Sequence, residues 1–267
     1  MDVRRLVRGT VPWTDIERIG EHLRARRNRE SIRLAFLEAD NWLSTPCVVD
    51  EAWFVKIISP QNAMVHALFT EFRNVGAFTA GGGGFFERFD SPFEMARHEL
   101  AATKTLQSAG VNVPEPVEAF EVDGYGVLVL QYLPDFRTLD EHDPAQLERW
   151  SRSLFRSLRQ MHDHELVHGD LRAENVLIHE ENLYFIDVTN VNDNGFEHAV
   201  AYDLASALAT LAPALGSREV LDIAREYYSI EEMLAAREFL DFVRVRPDHD
   251  FDATKVKSEI ENRAGRR

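Results

Sequence analysis

The sequence predicts an α+β chain in two parts, a β-rich part with one helix and a mainly helical part after it. Three observations predict it: five short β-prone segments before Pro134, an amphipathic helical pattern from Pro144 to Asp163, and a compact hairpin pattern after it. Residues 1–30 read as an N-terminal helical extension, opened by Pro12 and Thr14, with Ile16, Ile19 and Leu23 at helical spacing. Residues 31–133 form the β-rich part. Within it, Ile32 to Leu37, Thr45 to Val49 and Trp53 to Ile58 are strand-like and separated by polar stretches, which predicts three antiparallel strands. A long insertion at 59–92 holds four consecutive glycines, Gly81 to Gly84, whose backbone freedom predicts a mobile loop.

Glu94 to Ala109 reads as an amphipathic helix, closed by Gly110 with Pro114 and Pro116 beyond. Two further strands follow, near Val117 to Glu121 and Gly126 to Gln131. Residues 134–246 are mostly helical. Trp150, Leu154, Leu158 and Met161 mark one side of the helix from Pro144 to Asp163, and helices are expected over Ala199 to Ala212, Ser217 to Tyr228 and Ile230 to Val243. Residues 247–267 read as a polar tail with some helical tendency.

Composition narrows the class. With 267 residues and 45% hydrophobic content, the chain has ample material for a folded core. No run approaches the length of a membrane span, and the first residues lack the apolar centre of a signal peptide, so a cytoplasmic protein with no membrane partner is expected. Cys47 is the single cysteine, which excludes an intrachain disulfide and a cysteine zinc cluster; it reads as a buried strand residue. The net charge is −15, and only Lys56, Lys104, Lys255 and Lys257 are lysines. Acid-rich, lysine-poor surfaces resemble those of salt-adapted proteins, so a halophilic host is expected. The charge argues against general nucleic-acid binding. Contact with nucleic acid or a ribonucleoprotein is left only to Arg4, Arg5, Arg8 and the run Arg24 to Arg29, which reads more simply as a solvated helix face.

The most informative stretch runs from Leu166 to Val188. It sets His168, Asp170, Asn175 and Asp187 among the apolar runs Val176 to Ile178 and Leu183 to Ile186, which read as two strands of a hairpin. An Asp five residues before an Asn on one tight loop, with a second Asp about a dozen residues later, supplies one base and two oxygen ligands for magnesium. That is the layout of a phosphoryl-transfer site.

The order of elements and these motifs resemble the two-lobed protein-kinase-like fold over roughly residues 31–245, with a five-stranded antiparallel N-lobe sheet, one helix and a mainly helical C-lobe. His-Gly-Asp-Leu at 168–171 and Ile-Asp-Val-Thr-Asn at 186–190 resemble the RIO-type atypical kinases and their small archaeal relatives, whose flexible insertion before the glutamate helix corresponds to 59–92. The resemblance implies ATP and Mg²⁺ as cofactors. It assigns Lys56, in Trp-Phe-Val-Lys-Ile-Ile, to the α- and β-phosphates, with Glu99 as its partner and Glu94 as the rival; a strand-edge lysine reaching solvent is the plainer reading of Lys56. Asp170 is expected to accept or orient the proton of the attacking hydroxyl, and Asn175 and Asp187 to hold the metal. Arg172 would neutralise the γ-phosphate, although RIO-type enzymes usually carry a small polar residue there. His168 is expected to pack beneath the loop, and Asp203 to brace that loop or to be an ordinary helix aspartate. A zinc cluster of His162, His164 and His168 is a remote alternative.

The phosphate cover is the weak match. The segment Leu37 to Ser44 has no glycine, so Ser44 would donate its hydroxyl in place of a glycine-rich backbone, and Gly81 to Gly84 are a poor substitute. Adenine is expected against the backbone of Gln131, Tyr132 and Leu133. The resulting expectation is an ATP- and Mg²⁺-dependent phosphotransferase or ATPase of RIO-like type acting on protein serine or threonine, or on itself. The alternatives are a small-molecule kinase of the aminoglycoside or sugar kind and a nucleotide-binding pseudokinase scaffold.

Overall fold

The computed structural model describes residues 11–37, 44–63, 89, 91–188, 195–245 and 250–265. The chain divides into two compact units. The first holds residues 1–71, 88–104 and 114–134, and the second holds 72–87, 105–113 and 135–267.

The first unit is built on a five-stranded antiparallel sheet in the order β1-β2-β3-β5-β4. Its strands are β1 (Leu34–Phe36), β2 (Thr45–Val49), β3 (Trp53–Ile58), β4 (Pro116–Val122) and β5 (Tyr125–Gln131). Tight turns set the registers, three residues (Asp50 to Ala52) between β2 and β3 and two (Asp123 and Gly124) between β4 and β5. Asp50 and Glu51 both take positive φ between β2 and β3, as do Asp123 and Gly124 between β4 and β5, the twist that matches paired strands. Because side chains alternate along a strand, the sheet has two apolar faces. Cys47, Val49, Val55, Ile57, Val127 and Val129 share one core with Ile19 and Leu23 of helix α1 (Trp13–Arg26). Ile58, Leu128 and Leu130 share another with Met95 and Ala96 of helix α2 (Pro92–Ser108).

Helix α1, read from sequence as an extension, therefore buries one face of the sheet. Its basic end is engaged there: Arg26 and Arg27 both pair with Glu118, and the Arg26 and Arg27 guanidinium groups lie over the rings of Phe120 and Trp53. Arg24, Arg26 and Arg29 remain exposed, as the solvated-face reading expects, while the pairing of Arg26 and Arg27 with Glu118 leaves less charge there for a nucleic acid. Residues Arg4, Arg5 and Arg8 lie outside the described residues. So do Gly81 to Gly84 and most of the 59–92 insertion, whose two ends are nonetheless helical, at 60–63 and from Pro92 onward. On the other face, β5 runs so close to the first turn of α2 that a Cβ built on Gly126 would overlap the Pro92 carbonyl. Cys47 is buried and its thiol is pushed up to about 12 by desolvation, which leaves it inert.

The second unit begins with β6 (Arg137–Thr138) and a 3₁₀ turn, followed by α3 (Pro144–Asp163). Asp143 caps α3 by accepting from the Gln146 amide, with Pro144 at the first helical position. The strands β7 (Val176–His179) and β8 (Asn182–Phe185) complete a small sheet in the order β6-β7-β8. Helices α4 (Phe196–Leu215), α5 (Ser217–Ala224), α6 (Ile230–Arg237), α7 (Leu240–Val245) and α8 (Ala253–Ala264) follow. The single helix expected over Ile230 to Val243 divides into α6 and α7, and the one expected from Ser217 stops at Ala224. The segment read as a polar tail contains α8, which is capped by Asp252 and buries Val256 and Ile260. Its apolar residues are few but fall on one face, which is enough for docking onto a core though weak as a sequence signal. Among the described residues no helix is long and apolar enough to cross a membrane.

Candidate active site

In the first unit, Lys56 belongs to the α2-facing side of β3 and is only 6% exposed. Both carboxylate oxygens of Glu99, on α2, lie 2.9 Å from its Nζ. A buried ammonium is tolerated because this carboxylate offsets its desolvation. Lys56 is thus not a strand-edge residue reaching solvent. The rival Glu94 sits in the first turn of α2, where its amide donates to Ser91 Oγ.

Ser44 is buried two residues before Pro46, whose cross-strand neighbour is Lys56, and its hydroxyl has no hydrogen-bond partner among the described residues. The segment 38–43, which carries the rest of the glycine-free loop, is outside them. At the end of β5 the Gln131 and Tyr132 amides are already committed, to the Glu115 and Ala52 carbonyls. Donation by these two amides is excluded by their sheet and turn bonds, and the Leu133 amide has no backbone partner among the described residues.

In the second unit the loop from Leu166 to Val176 is held from inside. Asp203, fully buried in the middle of α4, accepts from the His168 amide at 2.6 Å and from the Gly169 amide at 2.8 Å. Gly169 has φ +76, the reason a glycine stands beside Asp170. His168 is fully buried against Phe185, its Nδ1 facing the Asp170 amide at 3.3 Å. Burial lowers its pKa from the ordinary 6.5, so the ring is neutral and structural. The three histidines go to different places. His162 Nε2 faces Asp203 at 3.4 Å and its Nδ1 faces Tyr228 Oη at 2.9 Å, whereas His164 Nδ1 meets the Gln160 carbonyl. Among the described residues no cluster of histidine, cysteine or carboxylates forms a metal site of three or more, which disposes of the zinc alternative.

Asn175 ties the loop to the hairpin. Its Nδ2 donates to the Asp170 carbonyl at 2.8 Å and lies 3.5 Å from Asp170 Oδ2, while its own carbonyl accepts from the Ile186 amide at 3.1 Å. The next residue, Asp187, has φ +58, a left-handed conformation that is uncommon for a non-glycine residue and gathers at functional sites. Asp170, Asn175 and Asp187 therefore belong to one local frame. With its amide nitrogen bonded to Asp170, Asn175 keeps its side-chain oxygen as a neutral donor, and Asp187, next to the residue it is tied to, carries a carboxylate. Such a pair suits Mg²⁺, which takes one or two protein carboxylates and fills its remaining positions with water and phosphate oxygens. Arg172 is not held open for a phosphate. Its guanidinium lies 3.4 Å from Asp170 Oδ2 and also pairs with Glu174. Sequence reasoning does not single out Tyr228, because nothing in Arg-Glu-Tyr-Tyr-Ser says which tyrosine is buried.

The β-sheet unit holds a buried lysine–glutamate pair and the helical unit holds the Asp170–Asn175 loop, the two features expected above of a protein-kinase-like chain. Residues 88–202 match the family model of the RIO domain. Two curated proteins are similar to parts of the chain. The chain is 30% identical over 146 residues to the 3-deoxy-D-manno-octulosonic acid kinase of Vibrio cholerae serotype O1, covering 51% of this chain and 58% of that one. It is 30% identical over 98 residues to the KEOPS complex subunit Bud32 of Pyrococcus abyssi, covering 35% of this chain and 43% of that one. The chain thus spans about half the length of the curated relatives it matches. Among solved structures, vaccinia related kinase 3 aligns over 88% of both chains at a TM-score of 0.42 and 11% identity.

Proposed function

We propose that the chain is an ATP- and Mg²⁺-dependent phosphotransferase. The observation that carries this reading is the frame in which Asn175 bonds Asp170 with its side chain and, through its carbonyl, the amide next to Asp187. A turn aspartate alone needs no such coupling. Asp170 orients, and accepts the proton of, the acceptor hydroxyl. Lys56, held by Glu99, grips the α- and β-phosphates, and Ser44 adds a hydroxyl for phosphate. The Leu133 amide and the Gln131 carbonyl serve the adenine, with Tyr132 between them. When bound, Mg²⁺ at Asn175 and Asp187 supplies charge neutralisation at the transferring phosphoryl group. Arg172 releases Asp170 as phosphate charge arrives.

The acceptor is proposed to be a protein hydroxyl, in another chain or in itself, by analogy with the RIO-type match. A second reading, a kinase of small hydroxylated molecules, is favoured by the broader of the two relatives, the octulosonic acid kinase. The test is ATP turnover with Mg²⁺ in molar KCl. Asp187→Ala and Asp170→Asn are each expected to lose at least about a hundredfold. Nucleotide binding without transfer above either variant would sink the enzyme reading. Labelled phosphate on a sugar-like metabolite and none on protein would select the second acceptor.

A further inference from the structure

Asp203 holds the loop beneath Asp170, and a further chain of contacts stands behind Asp203. Tyr228 lies in the turn between α5 and α6 and is 3% exposed, His162 on α3 is 6% exposed, and Asp203 is fully buried. The three meet side by side: Tyr228 Oη to His162 Nδ1 at 2.9 Å, and His162 Nε2 to Asp203 Oδ2 at 3.4 Å. The tyrosine is itself pinned. Its ring packs edge-on against Phe155 and under the Arg159 guanidinium. Arg159 in turn pairs with Glu232, which closes the capping box of Ser229, the residue after Tyr228.

We propose that Tyr228 is a positioning residue for the loop that carries Asp170, acting through His162 and Asp203. A tyrosine hydroxyl that donates to Nδ1 leaves the ring proton on Nε2, where it points at the Asp203 carboxylate. A ring in the other tautomer would turn a lone pair toward that carboxylate and repel it. The hydroxyl therefore sets the tautomer that His162 presents to Asp203, and Asp203 in turn holds the His168 and Gly169 amides next to Asp170. Burial raises the Tyr228 pKa well above its ordinary value, so the hydroxyl keeps its proton as a donor. The consequence for turnover rests on the phosphotransferase reading; the consequence for the loop does not.

The test is Tyr228→Phe in the full chain, which keeps the ring and removes one hydroxyl. Amide hydrogen exchange at His168 and Gly169 is expected to quicken by about tenfold, the effect of one lost hydrogen bond, while amides in the middle of α4 keep their rates. Turnover should fall with KM for ATP unchanged. Unchanged exchange at both amides, or an equal acceleration throughout the second unit, overturns the proposal, since the latter is what a purely structural tyrosine would do. If the amides respond and wild type shows no phosphoryl transfer, the positioning role stands and the phosphotransferase reading falls. In a His162→Gln background, Tyr228→Phe should add nothing at these amides, and an additive effect overturns the proposal. Should Tyr228→Phe fail to fold, nitrogen-15 NMR of wild-type His162 decides. A ring protonated on Nε2 alone supports the proposal, and one protonated on Nδ1 overturns it.

Discussion

Lys56 is one of four lysines in the chain and lies in the sheet beside a helix carboxylate, so its environment can be tested by changing that carboxylate alone. Glu99→Gln leaves a buried ammonium facing a neutral amide. It should lower stability by about 1–3 kcal/mol, read from urea midpoints, and, with Lys56 in the phosphate-binding role proposed above, reduce turnover more than tenfold. Equal midpoints would mean that the pair contributes nothing. His168 offers a pH test. Its folded pKa lies below the ordinary 6.5, so below that pH the unfolded chain binds a proton that the native chain does not. This contribution is therefore complete above pH 6.5 and is lost as pH falls, by up to about 1.4 kcal/mol per pH unit. Thermal melts from pH 7 to 5 should show a shallower slope in His168→Phe, which packs on Phe185 and takes no proton. An identical slope would place the acid sensitivity elsewhere. At this scale Lys56, Asp170, Asn175 and Asp187 are legible as candidates because the chemistry proposed for them sets their spacing. Tyr228, joined to His162 and Asp203 across more than twenty residues of chain, is not.

At the scale of elements, β-prone runs separated by polar stretches marked all five strands of the first unit, with Thr45 to Val49 and Trp53 to Ile58 matching the observed bounds. The runs are nearly continuous in apolar residues because both sheet faces are buried in apolar clusters. Helix ends were readable where a cap marks them, as at Asp143 and Pro144 for α3. They were misplaced where tertiary packing alone ends the helix, as between α6 and α7. Gly126 is the sharpest test of packing between elements. Gly126→Ala forces β5 away from the start of α2, and a loss of about 1–3 kcal/mol or more is expected in denaturant unfolding. Asp143→Ala, which removes only a cap, should cost about 1 kcal/mol. If Gly126→Ala cost less than the cap variant, the close approach of β5 to Pro92 would be wrong.

For the whole molecule, net charge is the property that acts on every element at once. At −15, self-repulsion works against compactness in both units, and screening relieves it. The unfolding midpoint is expected to rise between low and molar KCl. Equal stability in both would remove the case for salt adaptation. The arginines near the end of α1 show the same economy locally, since Arg26 and Arg27 neutralise Glu118 on the sheet they cover. Deleting residues 1–27 would expose the core that Ile19 and Leu23 close, so α1 belongs to the folding unit.

The strands, the helix with Glu99 and the candidate residues Lys56, Asp170, Asn175 and Asp187 can be read from the sequence alone, because β-prone runs, helical spacing and motif spacing all leave marks at short range. Tertiary structure alone decided which glutamate meets Lys56, that Arg172 sits on Asp170 and Glu174, that α1 and α8 join the cores, and that Tyr228 and His162 stand behind Asp203. Those outcomes depend on which faces are buried together, and burial brings residues far apart in sequence to within a hydrogen bond of each other without leaving any short-range pattern.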